Sequence, residues 1–320
     1  MHDERFAEKN TLLKKLRFTG TVAGACIVLY VLFQNALSIP FAFEPLRSVY
    51  AQSAEFRSLI SIVFSIVGLL LPFVFGGLIL RKKKTLSSLC LDKPHSTGLM
   101  LSSVPFGFLI CLIGNYLTSV FISLTRASGI ELTAPEYTVP DTLGGRFIYI
   151  LAISVVPALV EEFAIRGVVM QPLRRYGDRF AIVASAMVFA ILHGNLVQAP
   201  FAFIAGIGIG YAVCISGSVW TGVLIHFCNN FYSVVSEFML ADITDQALLN
   251  VLWNILQTAL YSVSIIGSIL FIIIKGRRRL TPAEQLLTAG EKWGAIILNP
   301  TMIIAIIIML LITAQYINLI

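Results

Sequence analysis

Nine long apolar stretches, separated by short polar segments, constrain the fold of this chain more than any other feature. A bilayer core about 30 Å thick needs roughly 20 apolar residues per helix, and the chain supplies such stretches almost end to end. The predicted spans are approximately 19–39, 59–80, 99–124, 147–170, 180–192, 199–215, 219–238, 248–274 and 300–317. The fifth and sixth are short for full spans, which is typical of tilted helices or of helices shielded by their neighbours.

The composition supports a membrane protein and excludes soluble alternatives. Of 320 residues, 57% are hydrophobic and only 12% are charged, against roughly 25% charged residues in a soluble domain. A chain of this kind fits neither a soluble globular enzyme nor a disordered segment. We therefore predict an all-α fold, a polytopic membrane helix bundle with about eight or nine transmembrane helices.

The positions of Lys and Arg predict the orientation of the bundle. With the N-terminus in the cytoplasm, 18 of the 23 basic residues lie on the inner side, in the clusters 5–17, 81–93, 174–179 and 275–292. Four lie outside, and Arg166 lies within a span. Because basic loops stay in the cytoplasm, we predict a cytoplasmic N-terminus and an outer C-terminus. The net charge of +6 then reflects topology and contact with the lipid bilayer, and no nucleic acid partner is expected.

The fourth predicted span carries three charged side chains, which are costly inside a membrane. Glu162 and Arg166 are four residues apart, so they share one helix face and neutralise each other. Glu161 lies about 100° further round the helix. We therefore expect Glu161 to point away from that ion pair and to have a different role.

Two other spans carry polar groups of the same kind. The fifth ends with Phe189 and His193, and the seventh holds His226 and Asn230 one turn apart on one face. Taken singly, each group is explained by packing or by hydrogen bonds between spans. Three neighbouring spans with such groups favour a shared site.

These residue types suit the hydrolysis of an amide bond. In a partly dry site Glu161 is a candidate general base, and His193 is placed to share and orient the attacking water. His226 and Asn230 supply hydrogen-bond donors for an oxyanion. Alternatively, Glu161, His193 and His226 bind Zn²⁺ and leave a fourth position for water. Both routes predict peptide-bond hydrolysis inside a membrane cavity.

The same residues resemble the motifs of the CPBP intramembrane proteases, also called the CAAX protease and bacteriocin-processing or Abi family. That family shows E-E-x-x-x-R, then F-x-x-x-H, then H-x-x-x-N, and all three patterns occur here in this order on separate spans. The motif residues are Glu161, Glu162 and Arg166, then Phe189 and His193, then His226 and Asn230. Each motif alone is weak, and the ordered set is specific. The resemblance covers about 144–238.

The resemblance implies a membrane peptidase whose catalytic residues are Glu161, His193, His226 and Asn230. Glu162, Arg166 and Phe189 would support them. No cofactor is expected to be required, although the residues also allow Zn²⁺ on Glu161, His193 and His226. The implied substrates are membrane-embedded or lipid-anchored proteins or peptides, and the implied location is the bacterial cell membrane.

Four regions follow from the spans and the resemblance. They are a basic cytoplasmic N-terminus (1–18), three accessory transmembrane helices with loops (19–143), a catalytic helix core (144–238) and C-terminal transmembrane helices with a basic cytoplasmic loop (239–320). Within that loop, Thr281 and Glu284 have the spacing of a capping box that starts a short interfacial helix ending near Gly290.

Two other functions fit some of these features. A catalytically silent membrane scaffold or bacteriocin-immunity factor would keep the same fold. It would need neither Glu161 nor His193, and each of these is costly to bury. An ion-coupled transporter also uses Glu, His and Arg within spans. Transporters usually show paired halves with matching broken helices, and no such repeat is visible in the sequence.

Overall fold

The computed structural model describes residues 2–82, 93–282 and 286–320, and the side chains of 4–80, 93–282 and 286–320. Lys83 and Lys84 of the predicted inner basic loop lie outside these ranges, as does Glu284 of the predicted capping box. The helices before the site are α1 (His2–Ser38), α2 (Leu46–Gln52), α3 (Ala54–Val63), α4 (Leu71–Lys82) and α5 (Thr97–Ala127). Those that follow are α6 (Leu143–Ile150), α7 (Val156–Glu162), α8 (Gln171–Arg174), α9 (Asp178–Leu192), α10 (Ala199–Ser216), α11 (Val219–Asp242), α12 (Gln246–Lys275), α13 (Ala289–Ile297) and α14 (Pro300–Ala314).

The predicted polytopic helical bundle is confirmed. Six described helices are long and apolar enough to cross a membrane, and a seventh span results if α13 and α14, bent by 68°, count as one. Neither α9 nor α11 is among them. By length and hydropathy, the described helices therefore give six or seven spans, fewer than the eight or nine transmembrane helices predicted. The 15 residues of α9 extend only about 22 Å, and α11 carries polar side chains that lower its hydropathy. Both are helices of the candidate site.

Three helices and two π-helical segments form one long rod from Leu143 to Arg174. The π-helical segments Leu151–Val155 and Phe163–Met170 lie on either side of α7. Such segments are rare and concentrate at functional sites, because the extra residue per turn redirects the side chains around it. Here they flank Glu161 and Glu162, which end α7.

The glycines of α10 allow a close approach to α9. A Cβ atom on Gly206 would lie 2.9 Å from the Cβ of Ala186, and one on Gly210 would lie 3.3 Å from Cγ2 of Ile182. The small-residue spacing therefore brings these two helices together as such spacings do in membrane bundles. This contact holds α9 beside the polar face of the core.

The ends of the chain pack against the bundle. The first helix begins at His2, earlier than the predicted residue 19, and its Leu12 and Leu16 are buried. Strand β1 (Ile130–Leu132) pairs antiparallel with β2 (Ile317–Leu319), with Ile130 opposite Leu319. This pairing places the loop after α5 and the C-terminus on the same side of the bundle. A capping box of Thr288 and Glu291 starts α13.

Candidate active site

A fully buried ion pair forms the base of the site. Arg166 Nη1 donates to Glu162 Oε1 at 2.9 Å, and both side chains are 0% exposed. Arg166 also donates through Nη2 to the Gly206 carbonyl at 3.3 Å, and its guanidinium carbon lies 4.8 Å from the Phe189 ring centroid. The predicted pairing of Glu162 with Arg166 is confirmed. The pair joins the long rod to α9 and α10.

Gly222 on α11 makes room for this buried carboxylate. A Cβ atom at that position would lie 2.7 Å from Glu162 Oε2 and 3.0 Å from methyl groups of Ile209 and Val213. Real Cβ atoms do not approach an oxygen so closely, so α11 contacts the rod directly at this point. The sequence offers no signal for this role, since the glycine is defined by a contact across 60 residues.

His226 connects the buried pair to Glu161. Its Nδ1 lies 3.0 Å from Glu162 Oε1, and its Nε2 lies 3.8 Å from Glu161 Oε2. Because a carboxylate paired with Arg166 only accepts, Nδ1 of His226 carries a proton. Nε2 is a donor at the site only in the doubly protonated form of the ring, in which the two carboxylates are balanced by a guanidinium and an imidazolium.

The two adjacent carboxylates have different surroundings. Glu162 is completely buried, whereas the side chain of Glu161 is 24% exposed. Glu161 receives no hydrogen bond from any described residue, and its Oε2 lies too far from His226 for a direct bond. Arg166 pairs with Glu162 and forms no ion pair with Glu161. Glu161 is the carboxylate that is accessible for chemistry.

His193 is held in one tautomer at the end of α9. Its Nδ1 lies 2.8 Å from the carbonyl oxygen of Phe189, and a carbonyl only accepts, so Nδ1 donates. The neutral ring then presents Nε2 as an acceptor. The Phe189 ring meets both imidazoles edge-on, at 4.8 Å from His193 and 5.8 Å from His226. No hydrogen bond or ion pair within the described chain joins His193 directly to Glu161.

A chain of amide side chains fixes Asn230. Asn115 donates to Asn229 at 3.3 Å, and Asn229 donates to Asn230 at 3.2 Å. Asn230 Nδ2 donates in turn to the Ile153 carbonyl at 3.0 Å. That carbonyl lies four residues before Pro157, which has no N–H to offer it. Asn230 thus donates one hydrogen bond to the backbone of the rod, and its second N–H remains available as a donor.

All four candidate catalytic side chains line one cavity of about 870 Å³. Its wall includes Glu161, His193, His226 and Asn230. The cavity also reaches residues that the sequence analysis did not single out, namely Asn115, Tyr137, Glu237 and Tyr316. The sequence did not mark Asn115 or Tyr137 as site residues, because a single amide in a span and a tyrosine in a loop are both common. Glu237 was not singled out because it lies one residue before the end of the predicted span 219–238, where a charged side chain is common.

The residues predicted to bind zinc are not grouped as metal ligands. Within 2–82, 93–282 and 286–320, no three His, Cys, Asp or Glu side chains come together as metal ligands do. The set predicted for zinc, Glu161, His193 and His226, therefore does not form a zinc site in this arrangement.

Comparison with known proteins agrees with the motifs. Residues 144–232 match the family model described as type II CAAX prenyl endopeptidase Rce1-like. The matched segment includes every candidate catalytic residue and extends from α6 into α11. No curated protein and no solved structure matches the chain. Several apolar helices together with this match make the chain an integral, multi-pass membrane protein. Its segment 144–232 is an Rce1-like domain of the CPBP/CAAX protease family, a family of peptidases.

Proposed function

We propose that this protein is an intramembrane endopeptidase that hydrolyses peptide bonds of membrane-embedded or lipid-anchored proteins or peptides. The observation that carries the proposal is the division between two neighbouring carboxylates. Glu162 is fully buried and bonded to Arg166 and His226, whereas Glu161 is part of the cavity wall and has no hydrogen bond from a described residue. A structural ion pair accounts for Glu162 but not for Glu161.

In this mechanism Glu161 is the general base that activates the water. A carboxylate in a partly dry cavity is a competent general base, because desolvation strengthens its attraction for a proton. A water between Glu161 and His193 donates one proton to the carboxylate and is oriented by Nε2 of the imidazole. Its oxygen then attacks the carbonyl carbon of the scissile bond.

His226 and Asn230 stabilise the negative charge that develops on the carbonyl oxygen. Nε2–H of a doubly protonated His226 and the second N–H of Asn230 are the available donors on that wall. Both are held rigidly, His226 by Glu162 and Asn230 by Ile153 and Asn229. The tetrahedral intermediate then collapses, the C–N bond breaks, and Glu161 returns its proton to the leaving amine.

If the N-terminus is cytoplasmic, the cavity opens towards the outer side of the membrane. Pro135 and Tyr137, from the loop between α5 and α6, line it, and so does Tyr316 near the C-terminus. The basic clusters lie at the opposite ends of these helices. Substrates would therefore enter from the outer face or sideways from the outer leaflet.

Purified full-length protein in lipid nanodiscs tests the activity directly. A defined peptide mixture is incubated with wild type, with Glu161→Gln, and with Glu131→Gln, which removes a carboxylate from β1 outside the cavity. We expect new peptide termini with wild type and Glu131→Gln, and at least about 100-fold slower formation with Glu161→Gln. Equal rates for all three would refute the role of Glu161.

A further inference from the structure

Acidic side chains line this cavity at two places. Its described wall contains two carboxylates, Glu161 and Glu237, and no Lys or Arg. Arg166, the guanidinium beneath the site, is 0% exposed and paired with Glu162. In a low-dielectric cavity a carboxylate attracts cations and repels anions more strongly than it would in water. A free carboxylate of a bound peptide would find no Lys or Arg on the described wall.

Glu237 is a second, separate carboxylate in this cavity. It lies on α11 eleven residues beyond His226, or about 16 Å at 1.5 Å per residue. Tyr149, only 1% exposed, donates its hydroxyl to Glu237 Oε2 at 2.6 Å. No described residue donates to Oε1, and no described Lys or Arg pairs with Glu237. Arg146, near this end of α11, is bonded to both oxygens of Asp242.

A half-buried carboxylate without a cation is costly to maintain in a membrane protein. The buried Tyr149 hydroxyl fixes its position but leaves its charge uncompensated. Packing does not require a carboxylate here, because a glutamine would accept the same hydrogen bond. A carboxyl group rather than an amide at this point of the cavity wall is therefore the feature that needs a function.

We propose that Glu237 is a specificity-determining residue that binds a cationic group of the peptide substrate. An extended peptide rises about 3.3 Å per residue, so 16 Å along α11 corresponds to about five residues from the scissile carbonyl bound at His226. The ligand is a Lys or Arg side chain, or an amino-terminal ammonium, at that distance. This inference rests on the proposed function, because that function places the peptide along the cavity. The inference itself concerns binding and not cleavage.

Binding in a catalytically silenced background tests the inference without cleavage. Full-length Glu161→Gln in nanodiscs is titrated with peptides in which one lysine is moved residue by residue through an otherwise neutral, amino-terminally acetylated sequence. A second series replaces that lysine by norleucine, and a third frees the amino terminus. We expect one lysine position, or a free terminus at that spacing, to bind about tenfold or more tightly.

The matched variants decide whether Glu237 is responsible. Adding Glu237→Gln keeps the hydrogen bond from Tyr149 and should abolish the lysine preference, whereas Glu136→Gln, an exposed outer carboxylate, should leave it intact. Adding Glu237→Lys should reverse the preference towards peptides with a glutamate at the same position. A lysine dependence that is absent, or unchanged by Glu237→Gln, overturns the inference.

The two proposals fail in distinguishable ways. If Glu161→Gln leaves cleavage intact while the lysine preference still depends on Glu237, the cation subsite stands and the proposed mechanism does not. If cleavage depends on Glu161 but ignores Glu237, the peptidase stands and the subsite does not. Thermal unfolding of each variant confirms that the compared proteins are folded.

Discussion

Nδ1 of His226 and Oε1 of Glu162 lie 3.0 Å apart, although 64 residues separate them in the chain. The same carboxylate oxygen accepts from Arg166 at 2.9 Å. One buried oxygen therefore ties α11 to the long rod and sets the ring orientation of a candidate catalytic histidine. In the proposed mechanism, stability and catalysis therefore depend on the same three side chains.

Arg166→Ala should destabilise the protein strongly, because it leaves Glu162 as an uncompensated buried charge. We expect a loss of about 3–5 kcal/mol in the free energy of unfolding, measured by reversible unfolding in detergent. Arg126→Ala is the matched control, since Arg126 makes only an exposed contact of 3.8 Å with Glu131 and should cost less than about 1 kcal/mol. Similar losses for both would contradict the account of the buried pair.

Asn230→Ala should cost about 1–3 kcal/mol by leaving the Ile153 carbonyl without its donor. Pro157→Ala supplies an N–H four residues after Ile153, so the double variant should recover much of that loss. A double-mutant cycle in unfolding free energy measures this coupling. Peptidase activity should stay low in the double variant, because only Asn230 offers its second N–H to the substrate. Full recovery of activity would show that Asn230 acts on structure alone.

Chelators should leave the peptidase activity unchanged. Among the described residues, Glu161, His193 and His226 do not come together as metal ligands. We expect less than one zinc per protein by elemental analysis, and no loss of turnover after dialysis against 1,10-phenanthroline. Stoichiometric zinc that disappears in His193→Ala, together with loss of activity on chelation, would show that the site rearranges around a metal.

Labelling with a membrane-impermeant maleimide should place the cavity mouth outside the cell. Tyr137→Cys lies in the loop after β1 and lines the cavity, so it should react in intact cells. Thr97→Cys, at the start of α5 beside the basic segment, should react only after permeabilisation. Wild type gives the background from the native cysteines. The reverse pattern would invert the bundle and place the mouth in the cytoplasm.

Local spacing made part of the site predictable. Glu162 and Arg166 are four residues apart on one helix, so their pairing follows from helix geometry. The short fifth span was likewise visible, because apolar length is a local property. The ordered motifs then placed Glu161, His193, His226 and Asn230 in one region.

The remaining features depend on contacts between distant segments. The chain gives no local reason for His226 to bond Glu162, or for Asn115 to reach Asn229 across 114 residues. Glu237 looked like a span end because its partner, Tyr149, lies 88 residues away.

Peptide hydrolysis that depends on Glu161 is the central claim, and terminal-peptide mass spectrometry in native membranes tests it most directly. Cells expressing wild type or Glu161→Gln at matched levels are compared for new peptide ends in the membrane and secreted proteomes. We predict ends that occur only with wild type, which would also identify the substrates. Identical profiles, with any deletion phenotype rescued equally by both proteins, would contradict the claim and favour a scaffold of the same fold.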